Sequence, residues 1–454
     1  MQTQNRLTSD TITAQATPAG QGGIAVVRVS GPLVKEIMPA ILGRKLSPRC
    51  ATYLPFYDEN GTVIDEGVAL FFPHPHSFTG EDTLELQGHG GRIVVGLLLQ
   101  RILSLGARLA QPGEFSERAF LNGKMDLAQA EAIADLIHSS SVQAARLAMR
   151  SLQGEFSKEV HRLCDKVMQL RIYIEAAIDF SDEEIDFLAE GKIIETLTVI
   201  LQDLALIQKQ AKQGSLLRAG LTAVIVGAPN VGKSSLLNCL SGKELAIVTD
   251  IPGTTRDVLK DNILIDDIPI QIIDTAGLRA SNDVVEQEGI RRAYQEMTQA
   301  DLILYLLEAS DHAFSFSKVD LPEVIANHQT IFIRNKIDLT GEQATIQQMG
   351  TDYVVSLSAK SQEGMELLKN CIKTIAGFQS HLENIYLARD RHLHALAQAE
   401  THVTQCLTQL KDGQYRELAA EDLRLAQLAL GEITGTVTAD DLLGQIFSSF
   451  CIGK

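Results

Sequence analysis

The chain has 454 residues, 45% of them hydrophobic, and a formal net charge of −17. That apolar content supplies two or three cored domains and excludes a disordered or fibrous chain. The acidic balance excludes nucleic-acid binding through a generally basic surface, since phosphate contacts need clustered Lys and Arg. No apolar run approaches bilayer length, and Met1 to Thr11 lacks the blocks of a secretory signal, so a soluble cytoplasmic protein with no membrane partner is expected. The six cysteines, Cys50, Cys164, Cys239, Cys371, Cys406 and Cys451, form no C-x-x-C pair and no cluster at metal-ligand spacing, which argues against a disulfide framework or a zinc site.

Up to about Asn122 the pattern mixes short β-like runs with one clear helix. Gly23 to Ser30 is β-rich, and Val94, Leu97, Leu98 and Ile102 recur at helical spacing after a turn at His89-Gly90-Gly91. From Lys124 the pattern is helical: Val160, Leu163, Val167, Leu170 and Ile174 form one apolar stripe, and Ile193, Leu197, Ile200, Leu204 and Ile207 form another. The acid-rich stretch Asp179 to Glu190 between them reads as a solvated face. From Leu221 to about Ala376, β runs alternate with helical stretches, the signature of a parallel sheet covered by helices. Helical spacing returns in His392 to Leu410 and Glu417 to Leu430. A helical bundle left incomplete would expose its stripes, so the α/β stretch reads as an insertion into it. The expected boundaries are 1–122, 123–218, 219–377 and 378–454.

Thr222 to Val226 leads directly into Gly227-Ala228-Pro229-Asn230-Val231-Gly232-Lys233-Ser234, followed by Ser235. This is the complete G-x-x-x-x-G-K-[ST] phosphate loop, with a strand before it and a helix after it. Its glycines let successive N–H groups and the helix N-terminus face negative charge. Lys233 is expected on the β and γ phosphates and Ser234 on Mg²⁺. Asp274-Thr275-Ala276-Gly277 follows the run Ile270 to Ile273, which places Asp274 beside the metal and the Gly277 N–H near the γ-phosphate. Asn335-Lys336-Ile337-Asp338 follows another apolar run. A carboxylate at Asp338 accepts two hydrogen bonds that guanine can donate and adenine cannot, so GTP and GDP are the expected ligands. Ser358-Ala359-Lys360 supplies the last base-contacting loop. In the switch segment between phosphate loop and Asp274, Thr255 is the candidate to close on Mg²⁺.

Leu278 stands where many GTPases carry a water-positioning glutamine, so hydrolysis needs other assistance. The motif set resembles the potassium-dependent GTPases of the TrmE-Era-EngA-like group. That resemblance implies K⁺ held by Asn230 with oxygens of Thr249, Ile251 and Thr254; from the residues alone, Asn230 reads equally well as a turn residue.

Outside the phosphate-loop region, Ser77-Phe78-Thr79-Gly80-Glu81-Asp82, Leu86-Gln87-Gly88-His89-Gly90-Gly91, the run Pro112 to Asn122, Asp126 to Ala132 and the ending Phe450-Cys451-Ile452-Gly453-Lys454 resemble the MnmE (TrmE) family of tRNA modification GTPases over essentially the whole chain. The resemblance implies a multidomain fold: an N-terminal α/β folate-binding domain that also makes a homodimer, an α-helical bundle domain, and an inserted α/β P-loop (Ras-like) GTPase domain. It implies that the chain, with the flavin-dependent partner MnmG, adds an aminomethyl or carboxymethylaminomethyl group to C5 of wobble uridine in certain tRNAs. A tetrahydrofolate derivative, in the 5-formyl or 5,10-methylene form, would carry the one-carbon unit. Arg28, Glu85, Lys124 and Lys454 match the family's folate-holding positions; Arg28 and Glu85 also read as an ordinary strand-face pair. Glu286 matches the position credited with orienting the attacking water, and reads otherwise as a surface acid. Cys451 is open between nucleophile and buried small residue. Two rival readings are a ribosome-assembly GTPase that binds RNA, for which no basic segment is visible, and a folate aminomethyltransferase regulated by a GTPase domain.

Overall fold

The computed structural model describes residues 10–179, 188–241, 260–266, 268–274, 298, 300–311, 328–377, 385–411, 416–437, 440–448, 450 and 453. They divide into two compact units: Met1–Ala134, Leu152–Ile185 and Thr408–Lys454 in one, Asp135–Ser151 and Asp186–Leu407 in the other.

In the first unit, strands β1 (Ile12–Gln15) and β2 (Gly22–Ser30) are followed by helix α1 (Val34–Leu42), strands β3 (Thr52–Tyr57), β4 (Val63–Phe72) and β5 (Thr83–Gly90), helix α2 (Arg92–Ser104), strand β6 (Arg108–Leu109) and helix α3 (Glu114–Leu121). The six strands form one sheet in the order β3-β4-β5-β2-β1-β6, antiparallel except where β1 meets β6. Alternation in β2 and β5 sends Val27, Val29, Leu84 and Leu86 to one face, where they are buried with Ile37 and Ile41 of α1 and Leu98 and Ile102 of α2. The sequence pattern shows only α2 clearly, and one of its stripe residues, Leu97, is 46% exposed. Helix α1 escapes the pattern because Pro39 lies inside it. Gly43, at φ +67°, closes α1 by donating its N–H to the Pro39 carbonyl.

Helices α4 (Leu127–His138), α5 (Val142–Leu152), α6 (Glu155–Asp179) and α7 (Leu188–Ala219) follow. Asp126 and Gln129 cap α4 reciprocally: each side-chain oxygen accepts the other's backbone N–H, at 2.8 and 2.9 Å. The stripe Val160, Leu163, Val167, Leu170 and Ile174 is buried along α6, and the stripe Ile193, Leu197, Ile200, Leu204 and Ile207 is buried along α7.

The second unit carries strand β7 (Leu221–Gly227), helix α8 (Lys233–Ser241), strands β8 (Lys260–Ile265), β9 (Ile268–Asp274), β10 (Leu302–Glu308) and β11 (Thr330–Asn335), the one-turn helix α9 (Ile337–Thr340), strands β12 (Thr345–Met349) and β13 (Asp352–Ser356), and helix α10 (Met365–Ile375). Their sheet runs β12-β13-β11-β10-β7-β9-β8. Its five central strands are parallel, and only the edge strands β8 and β12 are antiparallel. The central strands are near-continuous apolar runs with residues on both faces buried, such as Val224 and Ile225, Ile303 and Leu304, and Phe332 and Ile333, as in parallel sheets generally. The chain ends with helices α11 (Asp390–Lys411), α12 (Arg416–Thr434) and α13 (Asp440–Ser448).

Candidate functional site

Strand β7 lies between β9 and β10, so the chain goes to one side of β7 for β8 and β9 and then crosses to the other side for β10. Such a switch point opens a crevice at the carboxyl ends of the strands, where ligands bind in open α/β sheets. Gly227, Asp274, Glu308 and Asn335 are the last residues of their strands, so the sequence motifs meet at this edge.

The phosphate loop turns through left-handed backbone at Asn230 (φ +64°) and Gly232 (φ +101°). Asn is among the few side chains that adopt this conformation readily, so Asn230 serves the turn whatever else it does. A Cβ at Gly227 would lie 2.6 Å from the Leu306 carbonyl oxygen, and one at Gly232 would lie 2.3 Å from Asn335 Nδ2. Both glycines are therefore fixed by close approach of neighbouring chain. Lys233 opens α8 and donates its ammonium to the carbonyls of Gly227 (2.7 Å) and Ala228 (2.9 Å), which holds the charge inside the curve of the loop. Ser234 and Ser235 follow on the first turn of α8, and Val231 is buried.

Asn335 ties three loops together. Its buried amide donates to the Val231 carbonyl at 2.8 Å, and its oxygen accepts the Ala359 N–H at 3.0 Å. Ser358, fully buried, donates its hydroxyl to Asp338 at 2.7 Å and accepts the Ser361 N–H at 3.1 Å. The Cys239 thiol adds a further contact, donating to the Ala359 carbonyl at 2.8 Å. Lys336, in left-handed backbone at φ +68°, pairs with Glu308 and holds that exposed carboxyl below its usual range. Lys360 is exposed. The structure thus brings Gly227, Asn230, Val231, Gly232, Lys233, Ser234, Ser235, Asn335, Lys336, Asp338, Ser358, Ala359 and the end of β9 at Asp274 to one edge of one sheet. Thr249, Ile251, Thr254, Thr255, Gly277 and Glu286 lie outside the described residues.

In the first unit, Arg28 and Glu85 face each other across β2 and β5, with guanidinium nitrogens 2.9 Å from Glu85 Oε1. The Arg28 guanidinium also lies 5.5 Å from the Phe78 ring centre and 5.7 Å from that of Phe115, so its planar cation is flanked by aromatic groups. Lys124 donates to the Pro75 carbonyl at 3.1 Å. The carboxyl-terminal segment packs against this region: a Cβ at Gly113 would meet the Phe447 carbonyl oxygen at 2.4 Å, and one at Gly453 would meet that of Gln15 at 2.4 Å. Cys451 and Lys454 lie outside the described residues.

Sequence reasoning missed an ionic lattice in the same unit, centred on the buried pair Arg118 and Glu114. Arg118, 2% exposed, bonds Glu114 (2.9 Å), Asp10 (2.7 Å) and Glu81 (3.2 Å). Glu114 also accepts from Arg108 and from the Gln111 N–H. Burial pushes the Glu114 carboxyl up, but Arg108, the Gln111 N–H and Arg118 outweigh it and hold the group below its usual range. Glu81 accepts from Ser30, whose hydroxyl also meets Thr79. The i, i+4 spacing of Glu114 and Arg118 was the available signal for this lattice. The Q-G-H-G motif has a similar explanation. Asp65 accepts both the His89 N–H and its ring Nδ1 at 2.7 Å, and a Cβ at Gly88 would lie 2.3 Å from the same carboxylate.

A seven-stranded sheet with a parallel core, a glycine-bounded phosphate loop at its switch point and an Asn-Lys-x-Asp loop beside it define a P-loop GTPase domain. The rest of the chain specifies which one. The family model for the MnmE helical domain matches residues 127–451, and that for the GTP-binding protein TrmE N-terminus matches residues 11–124. Curated relatives called tRNA modification GTPase MnmE include that of Histophilus somni strain 129Pt, 56% identical over 99% of this chain and 100% of its own length. That of Haemophilus influenzae strain PittEE is 57% identical over 98% of this chain and 100% of its own. A solved structure of Era from Aquifex aeolicus, bound to GDP and aluminium fluoride, is 26% identical over 40% of this chain and 66% of that one, with a TM-score of 0.26. The chain belongs to the MnmE family of tRNA modification GTPases, and is a GTP hydrolase acting in tRNA modification.

Proposed function

We propose that this GTPase works as a K⁺-dependent homodimer in the cytoplasm. With the flavin-dependent MnmG protein, it adds a (carboxymethyl)aminomethyl group to C5 of the wobble uridine of certain tRNAs. The proposed domains are a folate-binding and dimerising domain at 1–122, a helical domain built from 123–218 and 378–454, and the GTPase domain at 219–377.

The observation that carries the nucleotide half is the Asn335 link between phosphate loop and base loop, both ends of which are buried. It fixes the distance between the parts that would hold phosphate and guanine before any nucleotide arrives, and such preorganisation lowers the ordering cost of binding. Lys233, whose ammonium spends its hydrogen bonds on loop carbonyls, is positioned to exchange them for phosphate oxygens. Asp338, aligned by Ser358, would take the guanine edge. Ser234 and Thr255 would ligate Mg²⁺; Asn230, Thr249, Ile251 and Thr254 would ligate K⁺; Asp274 and Gly277 would face the metal and the γ-phosphate, and Glu286 would orient water. The two cations supply positive charge at the transferring phosphoryl group, where catalysis of this kind is mainly electrostatic.

For the folate half, Glu85 is aligned by Arg28 and keeps a second carboxylate oxygen able to accept a pterin N–H. Phe78 beside the guanidinium is partly exposed and offers ring surface of the kind a planar heterocycle packs on, while Phe115 is fully buried. These residues fit such a ligand, with Lys124 and Lys454 as cations for its glutamate carboxylates. Tetrahydrofolate supplies the one-carbon unit when bound. Cys451 is assigned to the same site as a candidate nucleophile.

GTP turnover measured in KCl against NaCl tests the cation assignment, and equal rates remove it. Nucleoside mass analysis of tRNA from cells lacking the protein tests the modification, and wobble uridines with an unchanged C5 substituent remove that.

A further inference from the structure

Within the first unit, α6, α12 and the residues just after α12 line a half-open groove of about 450 Å³ that the GTPase and folate readings leave unused. That volume falls in the range of small-molecule sites, roughly 300–1,000 Å³. Arg171 with its partner Gln427, Arg424 one turn away on α12, and Leu428 line one part of it, and Cys164 lies further along α6. His161 lines the far end with Thr436 and Val437. From Arg171 to His161 the groove follows α6 for about 15 Å, at 1.5 Å per residue.

Both arginines pair with carboxylates that lie outside the lining. None of the described residues lining the groove is acidic. Arg171 donates to the Gln427 oxygen at 2.9 Å, and its Nε forms an ion pair with Glu175 at 3.4 Å that is not aligned as a hydrogen bond. Arg424 spends two nitrogens on Glu421, at 2.7 and 2.8 Å. Burial pushes the Cys164 thiol up to about 11, with the Asp165 charge adding to the shift, so at neutral pH the thiol presents an uncharged surface. Two guanidinium groups in one part of an apolar slot match a carboxylate or phosphate head attached to a longer apolar body, since guanidinium pairs such heads in a planar fork.

We propose that this groove is a binding site for an elongated organic anion, its acidic head held by Arg171 and Arg424 and its apolar body lying along Leu428 and Cys164 toward His161. The site is separate from the nucleotide and folate positions and assigns the helical part of the chain a ligand of its own.

The test is calorimetric titration of decanoate and of decyl phosphate into the full-length protein with excess GDP present, so that the nucleotide site is filled. Saturable binding of at least one of them, one per chain, is expected, and the preferred probe identifies the head group. Arg171→Met and Arg424→Gln should each weaken binding by about tenfold or more, as loss of a charge-assisted pair requires. Leu428→Trp keeps both arginines but fills the slot, and should abolish binding while circular dichroism and GTP turnover stay at parental values. Decanol, with the same body and no charge, should bind at least about tenfold more weakly than the preferred anion. If an arginine variant fails to fold, the Leu428→Trp and decanol comparisons still decide. The proposal is overturned if neither anion saturates, if decanol matches the anions, or if binding survives Leu428→Trp.

Discussion

Replacing Asn335 by Ala removes a single side chain and cuts both connections between the loop that surrounds phosphate and the loop that surrounds the base. The lost bonds are Nδ2 to the Val231 carbonyl (2.8 Å) and the Ala359 N–H to Oδ1 (3.0 Å). Val231 and Ala359 are 5% and 3% exposed, so water does not readily replace the missing partner. A buried backbone group left unpaired costs about 1–3 kcal/mol, and two of them cost about 2–4 kcal/mol if the loops relax partway. Strand β11 keeps its pairing with β10 and β13, so the penalty falls on the ordered, binding-competent loops and not on the sheet. At about 1.4 kcal/mol per tenfold, GDP affinity should fall by about 30- to 700-fold. Titration with a fluorescent N-methylanthraniloyl GDP reads this directly, and a melting curve without nucleotide checks that the sheet is intact. A folded Asn335→Ala protein that binds GDP within about threefold of the parent would refute the reasoning, because the loops would then need no link to hold their spacing.

Three further outcomes follow from the first unit. Arg118→Met leaves Glu114, Asp10 and Glu81 facing one another without their shared cation, so chemical denaturation should show a loss of about 3–5 kcal/mol, and a loss below about 1 kcal/mol would refute it. Glu117 is raised above the ordinary carboxyl value by burial and by the nearby Glu114 charge, so the folded state binds its proton more tightly than the unfolded state. Its contribution therefore favours folding below the ordinary carboxyl value and is lost as pH rises through the raised one, so Glu117→Gln should melt higher than the parent at pH 7 and lose that advantage in acid. Gly113→Ala combines a left-handed φ of +70° with a Cβ 2.4 Å from the Phe447 carbonyl oxygen. It should cost about 1–3 kcal/mol and loosen the docking of α13, read as faster hydrogen exchange at residues 440–448, and unchanged exchange there would count against it.

The helices and central strands were legible because their signals are local. Five apolar residues at three-four spacing mark α6 wherever its neighbours lie, and an apolar run ending in Gly, Asp or Asn marks a strand reaching the ligand edge. The parts that were hidden join residues distant in sequence. Asn335 reads in the sequence as one member of a base-binding tetrad, and its bond to Val231 spans 104 positions. Arg118 meets Asp10 across 108 positions, and nothing near either residue announces the pair. The α1 helix was hidden for the opposite reason: Pro39 gives a strong local signal that tertiary packing overrides, with Ile37 and Ile41 buried on either side of it.

Two of the stretches that place the chain in its family, Ser77 to Asp82 and Pro112 to Asn122, are largely engaged in holding the fold. In Ser77 to Asp82, Thr79 is fully buried and Glu81 is engaged by Ser30 and Arg118. In Pro112 to Asn122, Glu114 and Arg118 are buried in the same lattice, and the Asn122 amide donates to the Thr79 carbonyl at 2.7 Å. These residues are constrained because buried charges must each find a partner in a fixed geometry, which few substitutions preserve. Arg28 and Glu85 answer to a different constraint: they are partly exposed, their charges pair with each other across β2 and β5, and the sheet beneath them is held by Val27, Val29, Leu84 and Leu86. Combining Arg28→Gln with Glu85→Gln would leave the lattice and the core untouched. A chain with this double change should fold, hydrolyse GTP and still be recognised as a member of the family, while losing the site assigned to folate; folate binding at parental affinity, read by equilibrium dialysis, would refute that assignment. Family resemblance in these two stretches therefore reports the frame, and the folate assignment has to be argued from the residues that the frame presents.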